Sequence, residues 1–293
     1  MSLSMTEYPS ITECPIDKDR VDWLQYCDSG RFIPLLYVSL TGGLCNRILG
    51  LASCCSKAAT ESRLVKTYWP LNGKDGCSSL WSDVFTTPIQ SFSEWDLYWI
   101  MDIMHEVRWY HRPEEAYVSR DSTNIVVLKS TYDYFAPDRS PIASEFSLDL
   151  NRQWCYALQL KPDIIENVQK FCLPPGTLGL HLRVSDDHKF SEGSFSKNAL
   201  TVEMMDKVSQ WPGKVLVVSN SLEQKLSMKA HFGSKILLQD IDSYERDSSG
   251  AKSAIIDVVL LSMCQERVGN WTSTLYRLAH FWAGRPDFLR LLG

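Results

Sequence analysis

From Ser144 onward the chain alternates between two periodicities, and this alternation restricts the fold more than any other feature. Short apolar runs at 178–183, 214–220, 235–239 and 267–269 have the length and β-branched content of strands. Between them lie stretches of helical spacing: 145–158, 163–171, 200–210, 222–232, 253–265 and 272–283. The punctuation agrees. Pro162 sits at an N-terminal position, where its missing N–H costs nothing. Gly233 follows 222–232, and Gly284 with Pro286 follows 272–283, both stop signals. Strands that alternate with helices predict an α/β fold with a parallel sheet and Rossmann-like winding.

The first part of the chain opens in the same way. Residues 1–33 read as a polar arm. Pro34-Leu-Leu-Tyr-Val-Ser-Leu40 reads as a strand and ends at Thr41-Gly42-Gly43. A helix follows, with Leu44, Ile48, Leu51 and Cys55 on one face. Gly42 and Gly43 permit positive φ and close approach of a ligand to the backbone. The helix start adds free N–H donors and a positive dipole end. Residues 63–69 form a second strand, closed by Pro70. Residues 81–85 read as a helical turn, 93–107 as an aromatic-rich helix, 124–129 as a strand and 240–251 as a charged loop. The expected organisation is two domains, 1–155 and 156–293, with the division falling within 145–165.

Composition narrows the function classes. The 293 residues are 44% hydrophobic and 22% charged, as in ordinary globular proteins. A formal charge of −5 offers no bulk attraction to nucleic acid. No apolar run approaches the roughly 18 residues of a membrane span. The opening residues lack the basic and apolar regions of a secretory leader. Nine cysteines, an odd number with no C-x-x-C pair, suit a reduced cytoplasmic protein and offer no zinc-ligand spacing. The expectation is that all nine thiols are free, and that Asn270, which begins an Asn-x-Thr sequon, is unmodified.

Three groups of residues point to chemistry. The strand Gly179-Leu-His-Leu-Arg183 runs into Asp186, Asp187, His188 and Lys189. Ligands of open α/β sheets bind past the carboxyl ends of the strands, and an arginine there presents a planar fork suited to phosphate. A surface loop with solvated charges is the alternative. His181 and Arg183 share a strand face by the period of two. Next, Asp257 lies in the apolar stretch Ala254-Ile-Ile-Asp-Val-Val-Leu-Leu-Ser-Met-Cys264. A buried carboxylate needs partners. It could accept from the adjacent N–H donors of a guanine edge, or simply favour a helix start through the dipole. Last, Asn270-Trp-Thr-Ser-Thr274 opens the final helix. Hydroxyls and free N–H groups there could hold an anion, or Thr272 or Ser273 could merely cap the helix.

Taken together, these residues resemble the GDP-fucose-dependent fucosyltransferase superfamily, which includes protein O-fucosyltransferases, the nodulation α1,6-fucosyltransferase and α1,2-fucosyltransferases. His181-Leu-Arg183 is similar to its H-x-R motif. The spacing of Asp257 to Ser273, with Gly269-Asn270 between, resembles a late motif. Gly42-Gly-Leu-Cys-Asn-Arg47 resembles the early G-x-x-x-N-[QR] motif, with Cys45 in place of the usual glycine. The resemblance implies two facing Rossmann-like domains of GT-B type. The second would hold GDP-fucose, and a sugar or glycoprotein acceptor would lie in the cleft. It implies Arg183 on the β-phosphate, His181 on the nucleotide or its ribose, and Asp257 on guanine. Ser273 and Thr274 would hold phosphate oxygens, while Asn46, with Gly43 beside it, would meet donor or acceptor. The reaction would be inverting and free of metal, since arginine and a helix N-terminus replace the cation.

The general base is left open among Asp186, Asp187, Asp133 or none of them; Asp186 is carried as the candidate. Asp240-Ile-Asp242 has a metal-like spacing but reads as solvated. Two other functions remain: transfer from a different nucleotide sugar, or a catalytically idle nucleotide- or glycan-binding module on the same fold.

Overall fold

The structure is a computed structural model that describes residues 35–40, 42–60, 63–69, 71, 77–89, 107–110, 125–130, 154–183, 201–239, 247–270 and 273–289. The chain divides into two compact units, the first reaching Lys161 and the second running from Pro162.

In the first unit β1 (Leu35–Leu40) leads through a glycine turn into α1 (Leu44–Thr60), which returns to β2 (Leu64–Tyr68). The short helix α2 (Trp81–Val84) and the strands β3 (Val107–Tyr110) and β4 (Ile125–Ser130) follow. The pairings of its sheet are parallel, in the order β2-β1-β4-β3. The apolar face foreseen for α1 is buried: Leu44, Ile48, Leu51 and Cys55 are all inside. One expectation changes here. Val107, assigned to an aromatic-rich helix, begins strand β3, because Val-Arg-Trp-Tyr pairs with β4 from Val107↔Ile125 to Tyr110↔Leu128. The residues before it lie outside the described set.

The second unit runs α3 (Pro162–Phe171), β5 (Leu178–Leu182), α4 (Val202–Gln210), β6 (Val215–Ser219), α5 (Leu222–Phe232) and β7 (Ile236–Leu237). It ends with α6 (Ser248–Met263), β8 (Glu266–Gly269), α7 (Thr274–Trp282) and α8 (Pro286–Leu289). Its sheet is also parallel, in the order β7-β6-β5-β8. Every residue of β5 and β6 is buried, as expected of central strands covered on both sides. Leu178, Leu180 and Leu182 pack with Val215 and Val217 against Val208 of α4 and Met228 of α5. The alternate positions of β5, Gly179 and His181, face the other way. A side chain at 179 would strike Leu261 of α6 at 2.5 Å, so glycine lets that helix lie close. Each large apolar side chain buried here is worth about 1.5–3 kcal/mol.

Local signals explain the ends of the elements. Thr201 and Ser221 cap α4 and α5 by accepting from Met204 and Gln224 N–H groups. Gly233 ends α5 at φ 58°. Two expectations are trimmed. The strand at 235–239 is only Ile236–Leu237, preceded by a 3-10 turn at Gly233–Lys235. The charged loop at 240–251 is cut short because α6 already starts at Ser248. The four-residue α8 was not foreseen.

Candidate functional site

The order β7-β6-β5-β8 makes β5 a switch point: the chain winds to one side for β6 and β7, then returns to the other side for β8. Beyond the carboxyl ends of β5 and β8 a crevice opens in folds of this kind. His181 and Gly269 are register partners at those ends, and Arg183 follows one residue past β5, exposed. The structure therefore brings together the His-x-Arg strand end and the start of α7.

His181 is buried and its ring is neutral. Burial pulls its pKa down to about 3, and the nearby Arg183 charge acts in the same direction. Ser273 occupies the N-cap position of α7, yet its hydroxyl does not cap the helix. It lies instead 3.4 Å from His181 Nε2. Capping, one of the two roles open to Ser273 from sequence, is thus set aside. The α7 backbone begins its own ladder only at Arg277, whose N–H donates to Ser273 carbonyl at 3.0 Å. The N–H groups of the first turn, from Thr274 on, are those a helix start leaves outside its own ladder. Asn270, exposed after β8, accepts from Ser273 N–H at 3.0 Å. Thr272 lies outside the described residues.

Asp257 sits in the middle of α6, so a helix-start role no longer explains it. It is 4% exposed, and its Oδ2 lies 3.9 Å from Nζ of Lys225, itself 1% exposed on α5. Oδ1 makes no hydrogen bond. Burial pushes the carboxyl up to about 7, while the lysine charge pulls the other way. Sequence reading missed Lys225. Its helix begins Leu-Glu-Gln-Lys-Leu, and nothing local says that the lysine turns inward while Leu222 and Leu226 stay 53% exposed.

In the first unit the positive φ falls on Gly42, at 83°, not on Gly43. A side chain at 42 would lie 2.7 Å from Asn46 Nδ2, so the bare glycine accommodates the Asn46 amide. Arg47, quoted in the motif without a role, is fully buried. Its Nε donates to Gly42 carbonyl at 2.9 Å, and its guanidinium lies 5.2 Å from the Trp69 ring centroid. Arg47 thereby pins the turn that presents Asn46.

Asp186, Asp187, Asp133, Asp240 and Asp242 lie outside the described residues. Among the described residues no group of three His, Cys, Asp or Glu side chains could hold a metal. None of the helices among them is long and apolar enough to cross a membrane.

No protein-family model matches this sequence, and no curated protein matches it. Solved structures do. The structure of NodZ alpha-1,6-fucosyltransferase soaked with GDP-fucose aligns at a TM-score of 0.57 and 16% identity, covering 85% of this chain and 92% of that one. A mutant of Arabidopsis thaliana FUT1 in complex with GDP aligns at 0.56 and 13% identity, covering 92% and 71%. POFUT1 in complex with GDP aligns at 0.51 and 10% identity, covering 87% and 96%. The chain therefore has the fold of these fucosyltransferases.

Proposed function

We propose that this protein is a fucosyltransferase that uses GDP-fucose as donor and a sugar or glycoprotein hydroxyl as acceptor, with inversion and without a metal. The observation that carries the reading is the switch point. His181, Arg183 and the uncapped start of α7 meet where β5 and β8 end, in a fold whose solved likenesses include complexes with GDP and GDP-fucose.

The roles follow from the chemistry of each group. The acceptor oxygen attacks C1 of fucose opposite the leaving group, the C1–O bond to the β-phosphate breaks, and GDP departs with one more negative charge. Arg183 meets that charge with a two-pronged donor set. Thr274 and the first N–H groups of α7 add a positive dipole end to the phosphates. His181 supports the nucleotide. Asp257, with Oδ1 open and Oδ2 facing a lysine, reads the guanine edge. Asn46, with Gly43 beside it, meets a sugar hydroxyl. The acceptor proton passes to a base for which Asp186 is the candidate. In a dissociative, oxocarbenium-like reaction that base contributes least. A domain division within 145–165, the GT-B arrangement of two facing domains and cytoplasmic residence belong to the same proposal.

One observation favours a second reading. Asp257 already faces Lys225, and a carboxylate spent on a structural ion pair would leave the base unread. The fold would then serve another nucleotide sugar. Incubation with GDP-fucose and a glycan array, with and without EDTA, separates the readings. The expected result is acceptor-stimulated GDP release and fucosylated product, unchanged by EDTA. Absence of product on every acceptor, or a strict need for Mg²⁺ or Mn²⁺, would contradict the proposal.

A further inference from the structure

The surroundings of His181 carry an inference that rests on the nucleotide reading above. Its imidazole is fixed from three directions. Across the sheet stands Gly269, where a Cβ would lie 2.7 Å from the Tyr276 ring and 3.0 Å from His181 Cβ, so only glycine lets the three pack. Beside it lies the Tyr276 ring, with centroids 5.8 Å apart and planes inclined by 30°. Tyr276 is itself anchored. Its hydroxyl donates to the Arg267 carbonyl at 3.0 Å, and its ring meets His280 edge-on at 4.6 Å. At the third side Ser273 Oγ is 3.4 Å from Nε2.

What remains is Nδ1, buried and without a hydrogen-bond partner. An unpaired buried polar atom is destabilising, and a ligand oxygen at Nδ1 would remove that penalty. The ring is neutral, so only one of its nitrogens carries a proton. If Ser273 hydroxyl donates to Nε2, that proton is on Nδ1.

We propose that Tyr276 is a positioning residue which, with Ser273, holds His181 as the Nδ1–H tautomer and aims that N–H at an oxygen of the bound nucleotide. Ser273 then serves His181 rather than the phosphates, which are left to Thr274 and the α7 backbone. Tyr276 touches the nucleotide only through the histidine. The hydroxyl-to-carbonyl bond orients its ring, but the ring is the part that packs on His181, so Tyr276→Phe should be tolerated where Tyr276→Leu is not.

Histidine ¹⁵N NMR reports the tautomer, and calorimetry with GDP reports the affinity. The wild-type protein is expected to show His181 protonated at Nδ1. Tyr276→Leu should give a tautomer mixture and weaken GDP by on the order of tenfold (about 1.4 kcal/mol), raising KM for the donor with little change in kcat. Tyr276→Phe should keep the wild-type tautomer and most of the affinity. Ser273→Ala should shift the proton even if the leucine variant does not fold. An Nε2–H tautomer in the wild-type protein overturns the inference, as does Tyr276→Leu with tautomer and affinity both unchanged. If wild-type protein binds no GDP, the nucleotide reading fails, and the tautomers of the variants still decide whether Tyr276 and Ser273 hold the ring.

Discussion

The turn after β1 and the end of β5 are built from similar parts, a strand end, a glycine and a helix start, but they solve their polar groups differently. At the first, Arg47 donates to the Gly42 carbonyl and lies over Trp69, so the turn is tied to its own unit. At the second, Ser273 turns away from its helix to His181, and His181 Nδ1 is left buried with nothing to bond. Buried polar groups are nearly always satisfied. An open Nδ1 beside an uncapped helix start suits a ligand, while the bond and ring contact of Arg47 make the first turn mainly a rigid support for Asn46. The difference favours the proposed placement of the nucleotide on the second unit.

The strongest test of that contrast is Arg183. Arg183→Ala should lower kcat by on the order of 10²–10³ by removing charge stabilisation at the departing phosphate. Arg183→Lys should not restore it, because lysine lacks the two-pronged geometry. Circular dichroism should show an intact fold, since the side chain is exposed. Near-normal turnover of the alanine variant would remove Arg183 from the chemistry.

A smaller effect should separate the two regions directly. Arg47→Met removes a fully buried cation and its bond to Gly42, and should cost about 2–4 kcal/mol of stability while GDP affinity holds. His181→Ala should do the reverse, weakening GDP more than it lowers the melting temperature. Calorimetric melts paired with GDP titrations check both. If both variants lose stability and affinity in the same proportion, the division of roles is wrong.

These predictions draw unequally on sequence and structure. The strands β1, β5 and β6 were legible because continuous apolar runs between turn residues leave few other choices. The helix α1 was legible from Leu44, Ile48, Leu51 and Cys55. Strand β3 was not, because Val-Arg-Trp-Tyr has the mixed character of an edge and is fixed only by pairing with β4. The approach of Ser273 and Tyr276 to His181 was hidden too, since it depends on the register of β5 against β8. In α5 local sequence pointed the wrong way: Lys225 is inside and two leucines outside, for reasons that include Asp257 on another helix.

That buried pair makes a finer prediction. Asp257 holds a pKa of about 7 in the folded protein against an ordinary 3.8. Its raised pKa favours folding fully below about pH 3.8, and the advantage is lost as pH rises through about 7. The slope is at most about 1.4 kcal/mol per pH unit for one proton. Replacing both partners, Asp257→Asn with Lys225→Met, should remove this slope. Urea denaturation at pH 5, 6, 7 and 8 tests it by comparing wild-type and double-variant stability. His181 titrates in the opposite sense, giving stability that is present above pH 6.5 and lost toward pH 3, and it is common to both proteins. Parallel pH curves would mean either that Asp257 stays ionised throughout or that Lys225, whose pKa burial lowers, gives up the proton that Asp257 takes.

The most direct test of the central claim is the melting temperature in the presence of GDP, UDP and ADP. A ligand that binds only the folded state at a hundredfold excess over Kd adds about 2.7 kcal/mol. The account predicts a clear upward shift with GDP and little with UDP or ADP, because Asp257 offers acceptors to a guanine edge. Equal shifts with all three, or none with GDP, would contradict it.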